Sequence, residues 1–138
     1  MAEWGNVRSL GTAQDAKNCA LAALGMRREL SQLNQNWRDQ GRMALGMGIG
    51  VNHGEVIVGN IGSQDRMDPT VIGDAVNLAS RLEALTRTYG VDMLVGESVA
   101  ALVRDEVYLR SVARGQVQGK AKPVDIFTFV GARGEDIN

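Results

Sequence analysis

The chain has 138 residues, enough for one domain and too few for two. Its 15 basic and 16 acidic side chains nearly cancel to a formal net charge of −1, and only 4% of residues are aromatic. Nothing in that balance suggests a nucleic-acid footprint, which needs a basic excess or stripe, and the aromatics are too few for stacking platforms. Hydrophobic residues make up 44%, which permits a real core, and the single cysteine, Cys19, excludes an internal disulfide and a multi-cysteine metal site.

No apolar run approaches the roughly 18 residues of a membrane span. The start, MAEWGNVRSL, lacks the basic-then-apolar form of a secretory signal, so the expected location is the cytosol. Thr12 with Asp15 reads as a capping box that opens a helix running to about Asp39, with Gly41 as its stop. Ala16, Ala20, Ala23, Met26, Leu30, Leu33 and Trp37 fall on one stripe of that helix. Cys19 lies on the same side and reads as a small buried hydrophobe.

Two strands are expected next, Met43–Val51 and Glu55–Ile61, flanking a tight connection at Asn52-His53-Gly54. Gly46, Gly48 and Gly50 alternate along the first, leaving a face on which a helix or a second subunit can approach closely. They form neither a GxGxxG fingerprint nor a phosphate-binding GK[ST] loop. Ser63–Pro69 reads as an exposed arm. Asp74 then caps a helix to about Thr88 with Leu78, Leu82 and Leu85 as its buried stripe. A short strand is expected at Asp92–Val95, a short helix at Glu97–Val103, and two last strands at Val107–Val117 and Asp125–Val130. Helices and strands interleave, so the class is α/β or α+β.

The most informative stretch is DPTVIGDAVNLASRLE, Asp68 to Glu83. It sets Asn77 and Arg81 four residues apart, hence on one helix face, with Thr70 seven residues before the asparagine. A guanidinium carries five donors and a permanent charge suited to phosphate oxygens, and an amide can hold a sugar oxygen. Surface arginines more often pair with an acid on their own helix, as Arg87 can with Glu83; positions 77, 78, 84 and 85 offer Arg81 no such acid. On spacing alone the pair divides evenly between a ligand site and an ordinary helix surface. His53, the sole histidine, sits in a polar turn and reads as an exposed turn residue rather than a general base.

The segment from Gly48 to Gly90, and above all IGDAVNLASRLE at Ile72–Glu83, closely resembles the catalytic domain of class III nucleotide cyclases, in particular bacterial and cyanobacterial adenylyl cyclases. The likeness continues weakly through residues 12–40 and downstream through RGQVQGKAKPVDIFTFV, Arg114 to Val130. It implies an α+β, ferredoxin-like core with helices on one sheet face and an added C-terminal β-hairpin. Residues 1–131 would form a partial cyclase domain and 132–138 a polar tail.

The resemblance implies the conversion of ATP to 3′,5′-cyclic AMP and pyrophosphate at a site shared by two subunits. By motif, Asn77 would orient the ribose and Arg81 would neutralise charge on the α-phosphate. Thr70 occupies the purine-reading position, where threonine is typical of a bacterial branch and guanylyl cyclases usually carry another residue type. Lys120 matches the second lysine of a KGK pattern that binds the triphosphate; Gln118 replaces the first, and Lys122 could take the same part. The two aspartates that hold two divalent metals, Mg or Mn, have no counterpart here, because Met1 to Gly5 align just after the second of them. The chain thus reads as the C-terminal two-thirds of the domain, inactive by itself. The alternatives are a non-catalytic module that complements a metal-competent partner, or a degenerate remnant with exposed sheet edges.

Overall fold

A computed structural model of the chain describes residues 1–5, 9–61, 68–115 and 124–133. Nine elements follow one another: α1 (Thr12–Asp39), β1 (Ile49–Val51), β2 (Ile57–Ile61), β3 (Asp68–Ile72), α2 (Asp74–Tyr89), β4 (Met93–Gly96), α3 (Glu97–Val103), β5 (Val107–Gly115) and β6 (Val124–Ala132). Four strands form one sheet in the order β1-β4-β6-β5, while β2 and β3 form a separate two-stranded ribbon. β1 runs parallel to β4, and β6 pairs antiparallel with both β4 and β5. The ribbon and α2 make the crossover that a parallel pair requires.

Met93, Leu94, Val95 and Gly96 are all buried, so this strand reads as an unbroken apolar run covered on both faces. Its residues alternate between two cores. Met93 and Val95 join Ala16, Ala20, Ala23, Val99, Val103 and Phe129 beneath α1 and α3. Leu94 joins Leu82 and Ile126 beneath α2, with Leu78 and Leu85 packed against them. Helices therefore cover both faces of the sheet, not one, because the alternation on β4 and β6 leaves an apolar surface on each side.

Two glycines let α2 settle onto β1. A Cβ at Gly48 would meet Thr86 Oγ1 at 2.6 Å, and one at Gly50 would collide with the carbonyl oxygen of Ala79 and the amide of Glu83. The close approach expected of this glycine run is made by a helix of the same chain. Gly46 has nothing within 4 Å of its would-be Cβ.

Several sequence expectations need correction. The first strand is three residues, not nine, and Leu45 instead exchanges backbone bonds with the Asn34 carboxamide, accepting at 2.7 Å and donating at 2.8 Å. Asn52-His53-Gly54 does not close a hairpin, since β1 pairs with β4 and β2 with β3. Thr12 is not the cap of α1: Gly11 is the N-cap, and Asp15 reaches back to the Leu10 amide at 3.0 Å and the Ser9 hydroxyl at 2.6 Å. Those two bonds hold the Asp15 carboxyl below its usual pKa. Only the first half of α1 packs on the sheet; Met26 and Leu33 are exposed and Leu24 takes the buried place. Beyond it, Arg27 ties the helix down by a two-point fork to Asp92, at 2.6 and 2.7 Å, and a 2.8 Å bond to the Phe129 carbonyl.

Candidate active site

α2 starts at a glycine because the backbone there takes a conformation that L side chains rarely adopt. Gly73 has φ of 154°, and its carbonyl accepts from both the Val76 and Asn77 amides at 3.1 Å. A side chain at 73 would press on the Glu55 carbonyl at 3.2 Å. Asp74 is the first helical residue rather than the cap, and no side chain caps the helix; its charge still sits at the positive end of the helix dipole.

One turn into α2 stands Asn77, exposed; the next turn carries Arg81, half-buried. Four residues of helix separate them by about 6 Å along the axis. Leu78 and Leu82, the residues that follow each of them, turn inward against Leu94 and Ile126, which fixes the rotation of the helix and keeps Asn77 off the sheet. The structure thus brings Asn77 and Arg81 onto one element as the spacing requires. Thr70 lies in β3 opposite Gly59, on the strand that leads into the helix, and only its backbone is described. Lys120, Lys122 and Gln118 lie outside the described residues. His53 is exposed, in line with the turn reading, and contributes its backbone carbonyl to a bond from Ser98.

Neither Asn77 nor Arg81 lines the two main clefts of the single chain. The larger, of about 470 Å³, opens between α1 and the far end of α2, where its lining runs from Thr86 to Asp92. It is the roomier cavity, yet it lies at the opposite end of α2 from Asn77. The smaller, of about 180 Å³, lies under the first half of α2, lined among others by Asn52, His53, Leu78, Leu82, Ser98 and Asp125. Among the described residues no three His, Cys, Asp or Glu side chains gather as a metal site. The resemblance implies two divalent ions, and among the described residues no such cluster stands ready to hold them.

Sequence reading missed Asn52 as anything but a turn former. Its Nδ2 donates to the Ala75 carbonyl at 3.1 Å, and its Oδ1 lies 3.3 Å from the Ser98 hydroxyl. A polar carboxamide directly after the apolar end of an expected strand was the only sequence signal.

A four-stranded sheet with helices on both faces and a separate two-stranded ribbon is an architecture shared with solved nucleotide cyclases. The chain belongs to the family described as the adenylate and guanylate cyclase catalytic domain, which matches residues 7–131. It is 33% identical to adenylate cyclase 1 of Rhizobium meliloti (strain 1021) over 119 residues, covering 86% of this chain and 17% of that protein. It is 38% identical to an adenylate cyclase of Anabaena cylindrica over 118 residues, covering 80% of this chain and 24% of that protein. The chain therefore spans a quarter or less of the curated relatives it matches. The crystal structure of the adenylyl cyclase CyaB from P. aeruginosa superposes with a TM-score of 0.85 at 32% identity, over 96% of this chain and 67% of that one. Among the described residues no helix is long and apolar enough to cross a membrane.

Proposed function

We propose that this chain supplies the base-reading and transition-state half of an adenylate cyclase site formed between two subunits. The carrying observation is that Asn77 and Arg81 sit one turn apart on α2 and outside the chain's own main clefts. In the reaction the ATP 3′-hydroxyl loses its proton to water, its oxygen bonds to the α-phosphorus, the bond from that phosphorus to the α–β bridging oxygen breaks, and pyrophosphate leaves with that oxygen. The Asn77 amide holds the ribose so that the 3′-oxygen lies in line. The Arg81 guanidinium neutralises charge that grows on the α-phosphoryl oxygens, an interaction stronger in the transition state than in bound ATP. Thr70 reads the purine edge: a hydroxyl can accept from the adenine amino group. Lys120 meets the triphosphate tail.

The ribbon supports the two-subunit reading. An isolated two-stranded ribbon is marginal in water, and this one exposes apolar side chains, with Ile57 72% exposed. A second surface would cover it. The family embraces both adenylate and guanylate cyclases, so the preference for ATP rests on Thr70 and on the names of the relatives.

A second reading shares the same observation: the chain acts as a module that lends Asn77, Arg81 and Lys120 to a partner that holds metals. One assay addresses both. Purified chain is mixed with a cyclase that keeps its metal carboxylates but lacks the Asn/Arg pair, and cyclic AMP is measured for the chain alone, the partner alone and the pair. Activity of the pair only supports complementation; activity of the chain alone supports a self-sufficient enzyme; silence in all three refutes the proposed role.

A further inference from the structure

We infer that Asn52 is a positioning residue for this site: its carboxamide clamps the first turn of α2, and with it Asn77, to the end of β1 and the start of α3. The inference rests on the proposed role of Asn77. Asn52 directly follows Val51, the buried last residue of β1, so its backbone is fixed by the sheet. Its Nδ2 donates to the carbonyl of Ala75 at 3.1 Å, two residues before Asn77. That carbonyl keeps a second lone pair for the helix ladder. On the other side, the Ser98 hydroxyl in the first turn of α3 lies 3.3 Å from both Asn52 Oδ1 and the His53 carbonyl, sharing its single proton.

Two glycines make room for this arrangement. A Cβ at Gly96 would stand 2.6 Å from Asn52 Oδ1, and one at Gly54 would stand 2.7 Å from Ala75 Cβ. The Asn52–Gly54 segment therefore lies flat against the first turn of α2. That turn needs an outside hold. Its N-cap is Gly73, which has wide backbone freedom, and no side chain caps it. An asparagine acting only as a turn former would turn its side chain to its own backbone; this one spans 23 residues of sequence to reach Ala75.

Asn52→Asp is the diagnostic change. It keeps the shape and the acceptor toward Ser98 but faces the Ala75 carbonyl with an oxygen instead of a donor. In the complementing pair, N52D should lower kcat on the order of 10- to 100-fold, the scale of a small misplacement of a reacting group. The KM for ATP should stay near that of the unsubstituted chain. In an Asn77→Ala background N52D should add almost nothing, because the group it aims is gone. Losses that multiply in the double variant would mark a general structural role and overturn the inference.

Amide exchange of the isolated chain gives a second, activity-free reading. Exchange at Val76 and Asn77 should quicken at least about tenfold in N52D, while the far end of α2 keeps its protection. Unchanged exchange at Val76 and Asn77 overturns the clamp whatever the kinetics. If Asn77→Ala alone leaves turnover intact, the proposed role of Asn77 fails, and exchange still decides whether Asn52 holds the turn. Should N52D fold poorly, Ser98→Ala carries the same comparisons with smaller shifts in the same direction.

Discussion

Ile57 and Ile72 face each other across the β2–β3 ribbon, and both stand in the open, 72% and 51% exposed. Val56 and Val58 beside them are each 40% exposed. Apolar surface on a ribbon that joins no larger sheet is stabilised only when something covers it. In the proposed assembly a second subunit does so. Ile57→Asp should therefore weaken association with a cyclase partner and abolish complementation, yet leave the melting of the isolated chain nearly unchanged. Sedimentation of the mixed proteins checks it; an undiminished complex removes the ribbon from the interface.

Gly50 fixes the height of α2 on the sheet. Gly50→Val would drive a branched side chain into the Ala79 carbonyl and the Glu83 amide, so the helix must lift. Overpacking of this kind costs about 1–3 kcal/mol. Denaturant unfolding should show that loss. Gly46→Ala, where nothing lies within 4 Å, should fall within about 0.5 kcal/mol of the original.

Arg27 and Asp92 are each about one-third exposed and joined by two short bonds, a fork that lysine cannot reproduce. Asp92→Asn leaves a guanidinium with half its fork, and the expected loss is about 1.5–3 kcal/mol, the range for bonds to charged groups. Arg27→Lys should lose a comparable amount, since it also gives up the Phe129 carbonyl. Equal stability of all three proteins in urea contradicts the assignment of this fork as the anchor of α1.

Burial pushes the Cys19 thiol up to about 11 from an ordinary 9.0. The folded state thus favours the neutral thiol. This contribution to stability is complete below pH 9 and fades as pH rises through about 11, because the unfolded chain ionises first. Stability should therefore fall more steeply above pH 9 in the unsubstituted chain than in Cys19→Ala. Thiol labelling at neutral pH should be slow in the folded chain and fast after unfolding.

Local chemistry made much of this fold legible. α3 is legible at its full extent, Glu97–Val103, because a glycine-to-helix switch and a compact apolar face lie within a few residues. The motif helix ends within one residue of its expected end, where Gly90 takes the left-handed conformation of a C-cap. Strand partners were not legible. Asn52-His53-Gly54 has the composition of a hairpin turn, but the partner of β1 is β4, more than forty residues away, and such pairing leaves no local trace. The Asn77/Arg81 spacing on one helix is legible in the sequence, whereas the bonds of Asn52 needed coordinates: they reach Ala75 and Ser98, neither near it in sequence. The surface that faces Asn77 in the proposed assembly belongs to another molecule, so a single sequence carries no sign of its shape.

The most direct test of the central claim is the rate of cyclic AMP formation by the chain paired with a metal-competent, Asn/Arg-defective partner, with Arg81 intact and with Arg81→Ala. The expected result is a fall on the order of 10²–10³-fold, the scale on which loss of a transition-state charge donor acts. Equal rates from the two pairs would contradict the placement of Arg81 at the reacting phosphate.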